Sequence, residues 1–329
     1  MRAGPLTPGP SRGRRRVARA ALAALALVVP LPGCGLGEGE SSGGEAVLTV
    51  TRDYGAERLV EATEESPPAT ETVLRLLDRE TELSTRYGGG FVQSIDGISG
   101  ATEDGRRLDW FFYVNGVESP LGSTEVEVSG GDRIWWDYHD WTNLMRVPAV
   151  VGSFPEPFLN GAGEPVEVTC ADEDSRAPCE EVVDRLRDQG ADAEVASEGA
   201  SSAASTASSH GGEPSVVVGP WDAVRRFDDD VELLEIGPAR SHVFAGFERS
   251  GGAWELALLD QTTAERERLR AGSGLIAALG DGRPPLWLVT GTDDEGTAAA
   301  AEAFDVETLR DRFAVAIPPD REPLPLPLP

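Results

Sequence analysis

The stretch GGDRIWWDYHDW, Gly130 to Trp141, decides how the first half of the chain is read. A Gly-Gly-Asp turn opens it, and strand-forming residues follow without a break. Side chains alternate along a strand, so Ile134, Trp136 and Tyr138 point one way and Trp135, Asp137 and His139 the other. Upstream, LDWFFYVNGVES (Leu108 to Ser119) behaves alike: Trp110 and Phe112 oppose Phe111 and Tyr113. Its Asn115–Gly116 pair takes the positive φ angles of a type I′ hairpin. The chain is only 6% aromatic, yet four of its seven tryptophans fall between Trp110 and Trp141. One face of such a sheet builds a core. The other is either a platform on which a flat or apolar ligand stacks, or a surface that the rest of the chain covers. Trp110, Phe112, Trp135, Tyr138, His139 and Trp141 are the candidate ligand contacts.

Working outward, AVLTVTRD (Ala46 to Asp53) alternates as a strand and AERLVEA follows as a second. Pro67 and Pro68 break the chain. Thr70 is placed to cap a helix reaching Leu77, with Val73, Leu74 and Leu77 on one face. FVQSIDGI is a strand running into a turn at Asp96–Gly97, and TEVEV leads into the closing strand. The order is ββαβββ with one helix, the arrangement of a β-grasp.

Three separated motifs in this order, Ser94 to Ile98, Trp110 to Gly116 and Gly131 to Trp136, make residues 46–141 similar to the transcobalamin C-terminal-like family. The resemblance implies a β-grasp. In the eukaryotic cobalamin carriers this domain covers one face of the bound corrinoid, so cobalamin or a related molecule is the implied ligand. Those carriers also use a large α-helical barrel, and nothing like it occurs in this chain. A transporter or a separate cobalamin-binding protein is therefore an expected partner.

The start of the chain reads as a targeting segment. Arg12, Arg14, Arg15, Arg16 and Arg19 form a positive region, and Ala20 to Leu31 is apolar but too short for the ~20 residues of a membrane-spanning helix. LPGC, Leu31 to Cys34, resembles a bacterial lipobox. That resemblance implies cleavage after residue 33, a lipid on Cys34 and a place on the outer face of the cytoplasmic membrane. Residues 34–45, small and polar, read as a flexible tether. All 29 basic residues are Arg, which fits a G+C-rich genome such as an actinobacterial one. The net charge of −28 argues against nucleic acid and favours cationic or neutral ligands. With Cys34 lipidated, Cys170 and Cys179 are left as a pair, and in an exported protein two spare cysteines tend to join. A metal site would need further Cys or His nearby.

Residues 142–164 are rich in Pro and Gly, but Val150, Val151, Phe154 and Phe158 are too apolar for a loose tether. They read as an ordered linker. Residues 165–318 alternate strands and helices: PVEVTC, a helix over Cys179 to Gln189, ADAEVA, then SVVVGPWDAVRR, SHVFAGFE, WELALLDQ, a strand-loop-helix at PPLWLVTGTDDEGTAAAAEAF, and FAVAI. The Ser/Ala/Gly tract from Ser197 to Gly212 reads as a surface loop, and residues 319–329 as a disordered tail. The expected fold class is thus an α+β β-grasp N-terminal domain followed by an α/β sandwich domain.

Chemical signatures are sparse. His139 between Asp137 and Asp140 is either a metal or corrin-cobalt ligand or an ordinary strand end. Asp293 and Asp294 either hold a cation or cap a helix. Gly219–Pro220 lies at a strand's carboxyl end, where α/β folds place ligands, but lacks the Gly spacing and Lys of a P-loop. No G-x-S-x-G or H-E-x-x-H occurs. The sequence therefore points to a non-enzymatic, lipid-anchored extracellular binding protein. The alternative is a cell-envelope scaffold module that binds other proteins.

Overall fold

The computed structural model describes residues 43–87, 90–159, 165–196, 214–280 and 284–329. The signal segment, Cys34, most of the tether and the Ser/Ala/Gly tract lie outside the described residues. The fold is mixed α/β and mostly sheet. No described helix is long and apolar enough to cross a membrane.

The N-terminal lobe is built on strands β1 (Ala46–Arg52), β2 (Glu57–Glu64), β6 (Ala101–Glu103), β7 (Arg106–Val114), β8 (Val117–Glu118) and β9 (Arg133–Asp140). Their order is β2-β1-β9-β7-β6, with β8 on β7. β9 runs parallel to β1 and antiparallel to β7, so the stretch quoted above is the central strand. Between β2 and β6 the chain forms α1 (Val73–Glu80) and a small sheet of β3 (Leu83–Arg86), β4 (Phe91–Ile95) and β5 (Ile98–Ser99). Thr72, not Thr70, caps α1, its hydroxyl accepting from Arg75 N at 3.3 Å. A bridge from Thr72 to Glu127 precedes the first turn, and Val73, Leu76 and Leu77 are buried in the core with Leu74 packed against it. The TEVEV segment forms no strand of its own; it pairs with the approach to α1 through that bridge and through Val73 N, which donates to Val126 O at 3.0 Å, with Val128 buried. The Asn115–Gly116 turn has φ of 53° and 79°, the hairpin geometry its sequence calls for.

The C-terminal lobe contains β10 (Val166–Cys170), α2 (Arg176–Asp188), β11 (Ala193–Val195) and β12 (Ser215–Pro220). Short helical turns follow: α3 (Trp221–Val224), α4 (Asp229–Glu232) and α5 (Pro238–Ser241). Then come β13 (Ala245–Ser250), β14 (Ala253–Leu259), β15 (Glu265–Leu269), β16 (Gly274–Leu279), β17 (Leu286–Gly291), α6 (Asp294–Glu302), α7 (Val306–Leu309), β18 (Ala314–Ile317) and β19 (Leu324–Leu326). The main sheet has the order β11-β10-β12-β17-β16-β18-β19, and β13-β14-β15 form a separate meander. A disulfide joins Cys170 at the end of β10 to Cys179 in α2, with Cα atoms 5.9 Å apart.

Alternation along the main strands separates two cores. Val216, Val218, Ile276, Trp287 and Val289 face α2 and α6, where Phe154 and Phe158 of the 142–164 segment join them. Val217, Leu275, Ala277 and Leu288 face the meander and the N-terminal lobe. The expected disordered tail is corrected by β19. It pairs antiparallel with β18, Leu326 is fully buried, and Leu328 N donates to Leu259 O at 2.8 Å. Alternating Pro and Leu suits an edge strand: prolines sit where no ladder donor is needed and leucines cover the core.

Phe313, just before β18, joins the lobes. Its ring stands edge-on to Tyr54 at 5.0 Å, Tyr113 at 5.7 Å, Trp135 at 5.2 Å and His139 at 5.5 Å, all from the N-terminal lobe. The backbones come close enough that a Cβ on Gly55 would lie 1.9 Å from Asp311 O. Ion pairs Arg58–Asp311 and Arg310–Glu61 flank this contact. They are partly exposed and add little beside the aromatic burial. Phe313→Ala should cost about 3–5 kcal/mol. Urea unfolding of the wild-type chain, followed by tryptophan emission and far-UV dichroism, should give one coincident transition. Two separate transitions would contradict a shared core.

Glu156 lies in the 142–164 segment, 3% exposed, and its Oε2 has no partner among the described residues. Burial pushes its carboxyl up to about 7. The unfolded chain therefore loses this proton at lower pH than the folded one, and stability falls as pH rises from about 4.5 through 7. Glu156→Gln should remove a loss of about 2 kcal/mol between pH 5 and 8, read from urea midpoints at both pH values.

Candidate functional site

β7 and β9 carry the residues singled out in the sequence, and their register sorts them. Trp110 opposes Tyr138 and Phe112 opposes Trp136 on the face that packs on α1. There Trp110 Nε1 donates to Ile98 O at 2.9 Å, Tyr138 Oη donates to Ser99 O at 2.8 Å, and Phe112 stacks on Trp136. Trp135 and His139 lie on the opposite face. Trp141 follows the strand, with the Arg107 guanidinium 3.9 Å from its ring centroid. The six residues therefore do not share one surface.

The second face is closed as well. Trp135 is 3% exposed, its Nε1 donates to Thr51 Oγ1 at 2.7 Å, and Phe313 covers its ring. The C-terminal lobe and the segment after β9, through Leu144, Val147 and Val150, complete the cover. Of the two readings the sequence leaves for this face, the covered surface is the one observed: the lobe that follows supplies the apolar contact that a ligand would otherwise supply.

His139 is held between Tyr54 and Phe111, with ring centroids at 4.5 and 4.4 Å. Its Nδ1 lies 2.8 Å from Asp137 Oδ1. The Asp137 carboxylate also accepts from Tyr54 N at 3.1 Å, Gly55 N at 2.9 Å and the Thr51 hydroxyl. Asp53, Tyr54 and Gly55 have φ of 55°, 59° and 79°, which turns consecutive N–H groups inward as an anion-binding nest. The anion there is the protein's own Asp137, so His139 serves a packed turn. Burial pushes the Tyr54 phenol far above its usual range, and Tyr54 Oη donates to Asp140 O. Among the described residues, no three His, Cys, Asp or Glu gather as a metal site. Asp293 caps α6: its carboxylate accepts from Gly296 N at 2.9 Å and from Gly272 N.

An open cleft lies elsewhere. In the main sheet β10 sits between β11 and β12, all parallel. The chain leaves β10 on one side, through α2 to β11, and β12 occupies the other side. Loops leaving the carboxyl ends of β10 and β12 diverge, and such a switch point is where open α/β sheets hold ligands. Here it forms a cleft of about 450 Å³ lined by Ala171, Asp172, Pro220, Asp222, Arg226 and Phe227, among others. Gly219 lets the two loops meet, since a Cβ there would lie 2.7 Å from Ala171 Cβ. Asp172 is fixed by Ser175, whose N donates to Oδ1 at 2.9 Å, and the Cys170–Cys179 bridge fixes the same loop to α2. Asp222 accepts from Arg226 at 3.1 Å and from Trp254 Nε1 at 3.3 Å. The cleft thus presents two carboxylates, one guanidinium and an aromatic wall. It suits an ammonium or a zwitterion better than an anion. The sequence reading reached Gly219–Pro220 but missed Asp172, Asp222 and Arg226. The Asp-x-x-Ser turn after Cys170 and the i, i+4 spacing of Asp222 and Arg226 were the available signals.

Residues 70–140, from just before α1 to the end of β9, match the family described as a domain of unknown function, DUF4430. The match leaves out β1, β2 and the whole C-terminal lobe. No curated protein matches the chain.

Proposed function

We propose that this chain is an exported binding lipoprotein, anchored through Cys34 on the outer face of the cytoplasmic membrane, that holds a small cationic or zwitterionic ligand. The cleft at the ends of β10 and β12 carries this reading, because its carboxylates and aromatic wall converge at a switch point of the sheet. The net charge of −28 adds long-range attraction for cations. In this reading the N-terminal lobe is a β-grasp of the transcobalamin C-terminal-like kind. That is supported by its single helix on one face of a mixed sheet and by its three motifs. It acts as a rigid support for the C-terminal lobe, and a transporter is the expected recipient of the ligand. Cobalamin, the ligand implied by the resemblance, finds no stacking surface on the buried Trp135 face and is too bulky for the cleft to enclose.

The burial of both aromatic faces also favours a second reading, a non-catalytic envelope scaffold that binds other proteins. Titration of the detergent-solubilised full chain separates the two. Spermidine, L-arginine and cyanocobalamin are added in turn while Trp221 and Trp254, beside the cleft, report by fluorescence. Saturable change with spermidine or arginine, weakened about tenfold or more in Asp222→Asn, is the expected result. No saturable change with either at millimolar concentration contradicts the binding reading and leaves the scaffold. Saturation by cyanocobalamin alone moves the ligand back to the corrinoid class.

A further inference from the structure

A second cleft, of about 410 Å³, opens between the lobes beside the Phe313 contact. Tyr54 and Arg106 line it from the N-terminal lobe, and Gln261, Arg312, Pro325 and Leu328 from the other. Its two guanidinium groups differ. Arg106 is engaged: Nε donates to Asp140 Oδ2 at 2.9 Å and a terminal nitrogen donates to Gln261 Oε1 at 3.3 Å. Arg312 is half-buried, and among the described residues its side chain has no ion pair and no hydrogen bond. Its neighbours in sequence do not share this state, since Arg310 pairs with Glu61 and Asp311 with Arg58 across the lobes. Those pairs, with Phe313 beside them, hold the loop in place while Arg312 turns into the cleft.

A guanidinium that faces a cleft without a protein acceptor is open to an anion, and a bidentate carboxylate is the partner that best fits its fork. Acidic groups nearby leave this role open. Asp140 is taken by Arg106 and the Thr142 hydroxyl and amide. Asp53 is exposed and lies 4.0 Å from Arg52. The remaining walls, Pro325, Pro327 and Leu328, are apolar. They suit the body of a molecule whose acid group reaches Arg312.

We propose that the interlobe cleft binds a small organic carboxylate, anchored by Arg312 and held by apolar contact with Pro325 and Leu328. This site is independent of the cleft at β10 and β12 and stands whether or not that one binds. Phenylacetate serves as the probe, titrated calorimetrically into the full chain in detergent. Saturable binding that weakens about tenfold or more in Arg312→Gln, is partly kept in Arg312→Lys and is unchanged in Asp222→Asn is the expected result. No saturable binding at millimolar phenylacetate, or equal binding by the Gln variant, overturns the proposal. Labelling wild-type arginines with phenylglyoxal gives a check that needs no variant. Arg312 should be modified, and phenylacetate should protect it several-fold; modification unaffected by phenylacetate counts against the site. Inorganic phosphate displacing phenylacetate at lower concentration would overturn the carboxylate assignment.

Discussion

The insertion of Phe313 among Tyr54, Tyr113, Trp135 and His139 is the contact on which the rest of the described chain depends. A five-strand path with one helix can bury one face only, and here the other face is as aromatic as the first. Without cover it would expose Trp135 and the edges of Tyr113 and Phe111 to water, a patch that monomeric proteins seldom tolerate. The C-terminal lobe resolves this by presenting the loop before β18. The N-terminal sheet, the meander and one face of the main sheet then share a single core.

Close approach of this kind demands special backbone on both sides. Gly55 and Gly152 leave no room for a side chain against Asp311, Arg312 and Trp135. The turn that carries Gly55 holds Asp53 and Tyr54 in left-handed conformations, which cost energy in residues bearing a Cβ. Asp137 compensates, because its buried carboxylate collects the inward N–H groups of that turn together with the Thr51 hydroxyl and His139. An unpaired carboxylate at this depth would be strongly unfavourable, so the turn and Asp137 require each other. His139, which looks like a ligand in the sequence, is the aromatic and polar filler of the same arrangement.

Local chemistry was legible in the sequence wherever it is short-range. The Asn115–Gly116 hairpin, the two-faced alternation of β7 and β9, and the Cys170–Cys179 pair follow from turn preference, strand period and cysteine arithmetic. What covers a face is different information. Periodicity assigns Trp135 to a side of the sheet but cannot say that Phe313, far along the chain, lies upon it. β15, with the sequence ERERL, carries too much charge to resemble a strand, and β16, GLIAAL, is uniformly apolar and has no period to read. The PLPLPLP ending resembles a disordered tail because proline is depleted in strands, yet the edge position of β19 removes that objection. Asp172 is far in sequence from the Asp222–Arg226 pair, and the two meet only because β10 and β12 are neighbours. No short motif could have joined them.

The central claim is that the aromatic face of β9 is an internal interface and not an exposed binding platform. Hydroxyl-radical footprinting of the native full chain, read by mass spectrometry at each tryptophan, tests it most directly. Trp135 should be protected to the same degree as fully buried Trp221 and Trp287, while half-buried Trp141 and Trp254 are oxidised readily. Oxidation of Trp135 at the rate of Trp141 would contradict the account, since it would mean that the C-terminal lobe leaves this face open to solvent.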